Sequence, residues 1–385
     1  MKKFVNRLLD IFRKGDMILL ALCVVASVFG IVMIYAATYT EGSMRNIIIQ
    51  TGSLFAGILV YLAMTALDID ILAGQRTLLF LFNAAFIAML LVWGIEGTSG
   101  NRSWLKFPFL PFNIQPAEVC KITYIILLAK TMSIHRNRIS SIRSVAGITA
   151  HMLFIVAEIV LISKDTGVAL IFVFIFLVMA YAGGVSGWWF LGGAAAFAAV
   201  SPYLWEHVMR PDQKNRILAL IDPSIDPTGE GVLWQTNKNL EALRNGGLSG
   251  QGLFHGDLTN SGTLPVRHTD SIFCSIGEQL GLIGCVVVLL LLLAIVARCI
   301  YVGMKSPDYM NRLICIGIAS MFLFQILINI GVCLGLFPVI GLALPFFSYG
   351  GSSLMTSFLA VGIVSGIKMR PAPDINARYI RPPLS

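Results

Sequence analysis

Charge is what this sequence has least of. Only 12% of its 385 residues are Asp, Glu, Lys or Arg, whereas a soluble domain carries about 25%. Hydrophobic residues make up 57% and the mean hydropathy is +0.81. That leaves too little polar surface to cover a water-soluble body, so a soluble globular class is excluded and the solvent must be lipid. Alternating ten-residue segments are also missing, which excludes a membrane β-barrel. The seven cysteines lie in or beside apolar runs, with no CxxC or metal-ligand spacing, and read as buried free thiols. No convincing internal repeat is present.

What is there is a series of continuous apolar runs, each long enough to cross the ~30 Å hydrocarbon core as a helix. They predict an all-α polytopic membrane protein with about ten transmembrane helices. The spans are Met17–Ala37, Asn46–Ala66, Thr77–Gly94, Pro116–Met132, Ala146–Ile162, Thr166–Gly183, Gly187–Trp205, Ile272–Ile300, Leu313–Leu336 and Phe346–Ile367. Only Ser163-Lys164-Asp165 interrupts the stretch Ala146–Gly183, which reads as a tight hairpin or one broken span. Residues 1–16 and 368–385 are tails, 17–367 form the membrane domain, and 206–271 form a large loop between spans 7 and 8. The first apolar run is about 21 residues, longer than a cleaved signal h-region, and reads as an uncleaved anchor.

Basic residues set the orientation. With the N-terminus inside, 17 Lys and Arg fall in the tails and inner loops, and only Arg45, Arg102, Lys106 and Lys164 in the short outer ones. Both termini are therefore expected in the cytoplasm, in a multi-pass protein of a bacterial cytoplasmic membrane, with the large loop extracytoplasmic. The formal charge of +8 reflects topology and attraction to anionic membrane lipids, and nothing in it points to nucleic acid.

The polar residues gather on the expected outer side. The large loop holds Arg216, the turn-rich IDPSIDPTGEG, and LEALRNGGLSGQGLFHG. It reads either as a solvated connector or, given Leu233, Trp234, Leu240, Leu243, Leu248, Leu253 and Phe254, as a segment folded back onto the bundle. A short helix over Asn237–Asn245, ending at Gly246-Gly247, is predicted within it. Asp270 lies just before a span, with Arg267 and His268 nearby. A carboxylate there suits a general base or, equally, an N-cap. Charges inside spans are costly and functional by default. Glu118 and Lys121, three apart, can neutralise each other, or Lys121 can face a cavity and favour an anionic ligand. Glu158 and Glu278 lack a sequence-local partner, and Gln325 and Asn329 suit interhelical hydrogen bonds. PFFSYGGSSLMTS, with Ser348 and Ser352, suits close helix packing or the lining of a substrate groove.

Seven strings, in order, resemble the SEDS family (shape, elongation, division and sporulation; RodA, FtsW and SpoVE). They are GNRSW, QPAEVCKI, KDTG, RILALIDPSIDPTGEG, NGGLSGQGL, LPVRHTDSIFCSIGEQLGLIG and FQILINIGVCLGLFPVIGLALPFFSYGGSS. The resemblance implies a peptidoglycan glycosyltransferase that polymerises lipid II outside the membrane. It also implies a class B penicillin-binding protein as partner, alongside other elongation or division proteins. The family's essential aspartate falls on Asp270, and its arginine-tryptophan pair near Arg102 and Trp104. Glu118, Lys121, Asp165 and Arg216 are retained, and His268, Ser348 and Ser352 join them as substrate-binding candidates. Ser103 separates Arg102 from Trp104, Ser271 stands where the family has Phe, and Gln279 where it has Glu.

On this reading Asp270 deprotonates the 4-hydroxyl of the acceptor sugar. Arg102, Lys121 and Arg216 stabilise the departing pyrophosphate, and a divalent cation, magnesium or manganese, is the one cofactor the chemistry could use. The competing readings are a lipid II flippase, which would place its polar site near the midplane, and a weakly active scaffold for the transpeptidase.

Overall fold

The structure is a computed structural model that describes residues 11–370 apart from 12, 43, 97–100, 109 and 111. The outer parts of the two tails, with Lys2, Lys3, Arg7, Arg378 and Arg381, therefore lie outside the described residues, as does Gly100 of GNRSW.

Ten long helices fall where ten spans were expected: α1 Met17–Thr38, α2 Arg45–Ala66, α3 Arg76–Ala88, α4 Pro116–Ile134, α5 Ile142–Glu158, α6 Thr166–Ala182, α7 Gly187–Tyr203, and, after the large loop, α10 Ile272–Lys305, α11 Tyr309–Cys333 and α12 Gly351–Met369. The loop contributes α8 Pro211–Ile221 and α9 Trp234–Gly246. Seven of the ten, α3 and α5 counted with their continuations to Trp93 and Ser163, are long and apolar enough to cross a membrane by themselves; Thr166–Ala182 is shorter. Pro116–Ile134 carries the buried pair Glu118 and Lys121, and Gly187–Tyr203 buries no residue. The protein is a multi-pass membrane protein.

Several boundaries move. Helix α10 runs five residues past Ile300, α11 begins at Tyr309 rather than Leu313, and α12 begins at Gly351 rather than Phe346. The ambiguous stretch is a hairpin: a π-turn over Ile159–Ser163 ends α5, Lys164 takes φ 56°, and Asp165 caps α6. The outward faces stay apolar, as lipid demands; Ile48, Phe55 and Leu59 of α2 are each about two-thirds exposed.

Two features tie the bundle at opposite ends. At one, Asp16 is fully buried and grips four elements. Its carboxylate meets Arg298 Nε of α10 at 2.8 Å and Lys368 Nζ of α12 at 3.4 Å, and caps Leu19 N–H of α1. Tyr61 of α2 donates to its carbonyl at 2.7 Å. At the other end the large loop folds back onto α10. Gly281, at φ 68°, breaks that helix, and the loop supplies the missing hydrogen bonds. Gln251 and Gly252 N–H donate to the carbonyls of Glu278 and Gln279, while Leu282 and Ile283 N–H donate to Gly247 and Leu248, all at 2.9–3.3 Å. Helix α9 lies so close that a Cβ on Gly246 would sit 1.8 Å from the Gly277 carbonyl oxygen. The loop is thus a docked layer rather than a solvated connector. Its helix starts three residues before the expected Asn237 and ends at Gly246 as read.

Glu278 finds its partners here. Its buried carboxylate accepts from Leu258 N–H at 2.7 Å, Thr259 N–H at 2.9 Å and Thr259 Oγ1 at 2.6 Å, anchoring the loop helix Asp257–Asn260. Gln279, where the resembling family has Glu, accepts from Phe254 N–H and donates to Ser275 Oγ, using both ends of its amide.

Candidate active site

Asp270 sits at the docked-loop end, one residue before the N-cap Ser271 of α10. Asn329 of α11 donates from one amide nitrogen to the Asp270 carbonyl at 2.8 Å and to the Leu342 carbonyl at 2.7 Å, fastening two loops with one side chain. Ser348 works from the other side, donating to the Thr269 carbonyl at 2.7 Å and accepting from Leu344 N–H at 2.8 Å. Tyr349 N–H donates to the His268 carbonyl at 2.8 Å, and the two rings pack with centroids 5.7 Å apart. Gln50 of α2 completes the frame by bonding Ser348 O and Gly350 N–H. The segment His268–Asp270 is therefore held by α11 through Asn329 and by the chain between α11 and α12 through Ser348 and Tyr349. Ser352 is buried in the first turn of α12, its carbonyl taking the Thr356 hydroxyl.

A second carboxylate faces the same place. Asp165 Oδ1 accepts from Val168 N–H at 3.1 Å, the ordinary N-cap bond, and Oδ2 accepts from Ser103 Oγ at 3.1 Å. Ser103 is 3% exposed, and its hydroxyl also lies 2.7 Å from Ser163 Oγ. Between the carboxylates runs the turn at Ile340-Gly341. A Cβ on Gly341 would lie 3.6 Å from Asp270 Oδ2, and one on Gly167 would meet the Ile340 carbonyl at 2.7 Å and Asp165 Oδ1 at 3.6 Å. Gly341 at φ 69° is needed for that turn.

The charges follow the geometry. Burial first, and the Asp165 charge second, push the Asp270 carboxyl up to about 6. Burial likewise raises Asp165, opposed by the bonds from Val168 and Ser103 and by the Lys121 charge, and reinforced by Glu118. Lys121 and Glu118 of α4 are paired at 2.8 Å, with Lys121 fully buried and Thr356 donating to Glu118 Oε2. Asp270, Asp165, Glu118 and Lys121 thus form one electrostatic group.

The other candidates stand around it. Arg216 of α8 donates to the Val339 carbonyl at 2.8 Å, two residues before Gly341. Arg102 turns elsewhere: its guanidinium pairs with Glu96 at 2.9 Å and is about one-third exposed, while its N–H reaches the Ser163 carbonyl. Trp104 lies in β2, Trp104–Leu105, which pairs antiparallel with β1, Gly94–Ile95, opposite Ile95. The 101–105 segment sends Ser103, not Arg102, to Asp165. Among the described residues no three His, Cys, Asp or Glu side chains gather to hold a metal ion. A divalent cation would have the Asp165 and Asp270 carboxylates and substrate oxygens to hold it.

A family model described as "Cell cycle protein", for FtsW, RodA and SpoVE, matches residues 16–372. The chain belongs to the FtsW/RodA/SpoVE family. It is 34% identical over 391 residues to a probable peptidoglycan glycosyltransferase FtsW of Trichlorobacter lovleyi, covering 96% of this chain and all of that one. Its fold matches a chain in a structure titled "Structural coordination of polymerization and crosslinking by a peptidoglycan synthase complex", with a TM-score of 0.78, 28% identity, and 95% and 99% of the two chains covered. It also matches the rod shape determining protein RodA of Thermus thermophilus, with a TM-score of 0.69, 26% identity, and 94% and 98% covered.

For this FtsW/RodA/SpoVE member, the residues that sequence reasoning missed are those that position Asp270 rather than those that carry charge. Asn329 reads as an interhelical hydrogen-bonding residue, yet it fastens loops. Ser103 reads as an interruption between Arg102 and Trp104, yet it is the residue that bonds Asp165. Gln50, a polar residue near the start of an apolar run, was the one visible signal of the frame around Ser348.

Proposed function

We propose that this protein polymerises lipid II into glycan strands at the outer face of the cytoplasmic membrane. The observation that carries this reading is the meeting of Asp270 with Asp165 and the Glu118–Lys121 pair at one end of a membrane helix bundle. The excess of basic residues on the opposite side and in the tails supports both termini in the cytoplasm and that end outside.

Lipid II brings its own leaving group, undecaprenyl pyrophosphate. The protein must take a proton from the acceptor 4-hydroxyl and stabilise the charge that leaves with the pyrophosphate. Asp270 is the general base, since a carboxylate raised to about 6 is still ionised at neutral pH and more basic than an ordinary one. Lys121, fully buried and paired with Glu118, supplies a cation in a medium of low dielectric, its field partly offset by that carboxylate. Arg216 adds a guanidinium beside Val339. The acceptor oxygen bonds to the anomeric carbon as the bond to pyrophosphate breaks, so a single displacement converts an α-linked donor into a β-linked strand. The lipid tails lie against the apolar helix faces.

The likeness to a chain of a peptidoglycan synthase complex supports a cross-linking partner, which we assign to a class B penicillin-binding protein acting in elongation, division or sporulation. The test is polymerisation of purified lipid II, with and without candidate transpeptidases. Asp270→Asn should lose about 10²–10⁴-fold in rate; a folded variant that polymerises at near-native rate removes the base from Asp270.

A further inference from the structure

The loop carries a pocket of which the reaction above uses only the Arg216 edge. It has a volume of about 320 Å³, near the lower end of ligand sites, and is lined by Asp212, Asn215 and Arg216 of α8, Trp234 and Gln235 at the start of α9, and Val339. Trp234 is 40% exposed although nearby loop residues such as Thr236 and Asn239 are buried. A large ring kept open to solvent beside two amides, a carboxylate and a guanidinium is the chemistry of saccharide recognition. The ring covers the C–H face of a pyranose, and the planar polar groups bond its hydroxyl and acetamido edges. Val232 and Val339 add apolar contact beside the ring, and Asp212 sets a carboxylate against the Arg216 charge, so the lining is amphipathic like a sugar rather than purely greasy or purely cationic.

The wall bearing Trp234 is built in advance. Asp226, from the turn-rich string, accepts from Leu233 N–H at 3.0 Å, Gly231 N–H at 3.0 Å and Thr228 Oγ1 at 3.3 Å. These bonds, that of Leu233 foremost, hold its carboxyl below the usual range. The pocket wall is also in contact with the segments that carry the site. Gln235 Nε2 lies 3.5 Å from Ser271 Oγ, the residue after Asp270, and Arg216 holds Val339, two residues before Gly341. Ser271 is fully buried, so its hydroxyl is a fixed point between the pocket wall and Asp270.

We infer that the Trp234 pocket is a saccharide subsite, binding an N-acetylhexosamine unit of the glycan strand beyond the two sugars that react at Asp270. The inference rests on the polymerase reading above and adds a function to it: retention of the growing strand between successive additions. A strand that stays bound is extended repeatedly; one that slips is released short.

The experiment has two arms. In the first, a soluble tetramer of N-acetylglucosamine is titrated against the protein in nanodiscs, with binding followed by saturation-transfer NMR. Wild type and Asp270→Asn should both bind, Trp234→Ala should bind about tenfold more weakly, and Trp234→Phe should recover most of the affinity. In the second, lipid II is supplied and strand length is read against the rate of lipid II consumption. Trp234→Ala and Asn215→Ala should shorten the strands several-fold while consumption falls by a smaller factor. Failure of wild type to polymerise, with tetramer binding intact and lost in Trp234→Ala, would sink the polymerase reading and leave the sugar site standing. Polymerisation with unchanged strand length in both variants overturns the inference. So does tetramer binding that ignores Trp234, or a pocket that takes the free stem pentapeptide instead.

Discussion

Replacing Asp165 by Asn isolates the electrostatic coupling between the two carboxylates. The substitution keeps the oxygen that caps α6 and sets an amide N–H where Oδ2 stood, which Ser103 can accept from while turning its own proton to Ser163, so it removes a charge while keeping the fold. Asp270 rises from 3.8 to about 6, with burial the larger cause and the Asp165 charge the smaller. Removing the smaller cause should therefore lower the Asp270 value by less than about one pH unit. The sign is fixed: a like charge nearby disfavours ionisation, so its loss favours the base form. With a value near 6, Asp270 is about 90% ionised at pH 7 and about 10% at pH 5, so kcat/KM for lipid II should fall about tenfold across that interval. In Asp165→Asn the acidic limb should shift toward lower pH, and the loss between pH 7 and pH 5 should shrink to a fewfold. The assay is initial-rate polymerisation in detergent from pH 4.5 to 8, with far-UV circular dichroism at each pH to confirm folding. A wild-type limb near pH 4, or an Asp165→Asn limb that stays put or moves upward, refutes the coupling.

The other predictions concern what holds the site. Lys121→Met leaves Glu118 buried with Thr356 as its remaining neutral partner, and should cost about 3–5 kcal/mol in thermal unfolding; the double variant Glu118→Gln/Lys121→Met should recover much of that stability without recovering activity. Gly246→Ala puts a Cβ 1.8 Å from a backbone oxygen that cannot swing away. It should destabilise the docked loop by about 1–3 kcal/mol, seen as faster proteolysis between α9 and α10. Arg298→Gln removes the closer cation from fully buried Asp16 but leaves Lys368 at 3.4 Å. A loss of about 3 kcal/mol, read as a lowered melting temperature, is expected.

The helices were legible because lipid writes a strong signal in runs such as Met17–Ala37, whereas Ser163-Lys164-Asp165 read equally as a tight hairpin or a broken span until the φ of Lys164 made it a turn. Asp270 stood out as a carboxylate at the edge of an apolar run, where a general base and an N-cap read equally well; Ser271 takes the N-cap position. The docking of the loop was not legible. It depends on carbonyls exposed by the break at Gly281 and on the missing side chain of Gly246, and a backbone group or an absent Cβ has no letter that names its partner. Arg102 misled for the opposite reason. Its charge drew attention, yet Glu96 lies six residues away and takes it, leaving the uncharged Ser103 to reach Asp165.

The break at Gly281 has a practical meaning for anyone exchanging parts between relatives. Because Glu278 and Gln279 bond the loop through both backbone and side chain, the turns Ile272–Leu280 belong mechanically to the loop and not to the membrane helix that continues them. A graft cut at the apparent start of α10 would sever those bonds and deliver a loop without its floor. The transplantable cassette ends at Gly281, nine residues inside what hydropathy marks as membrane.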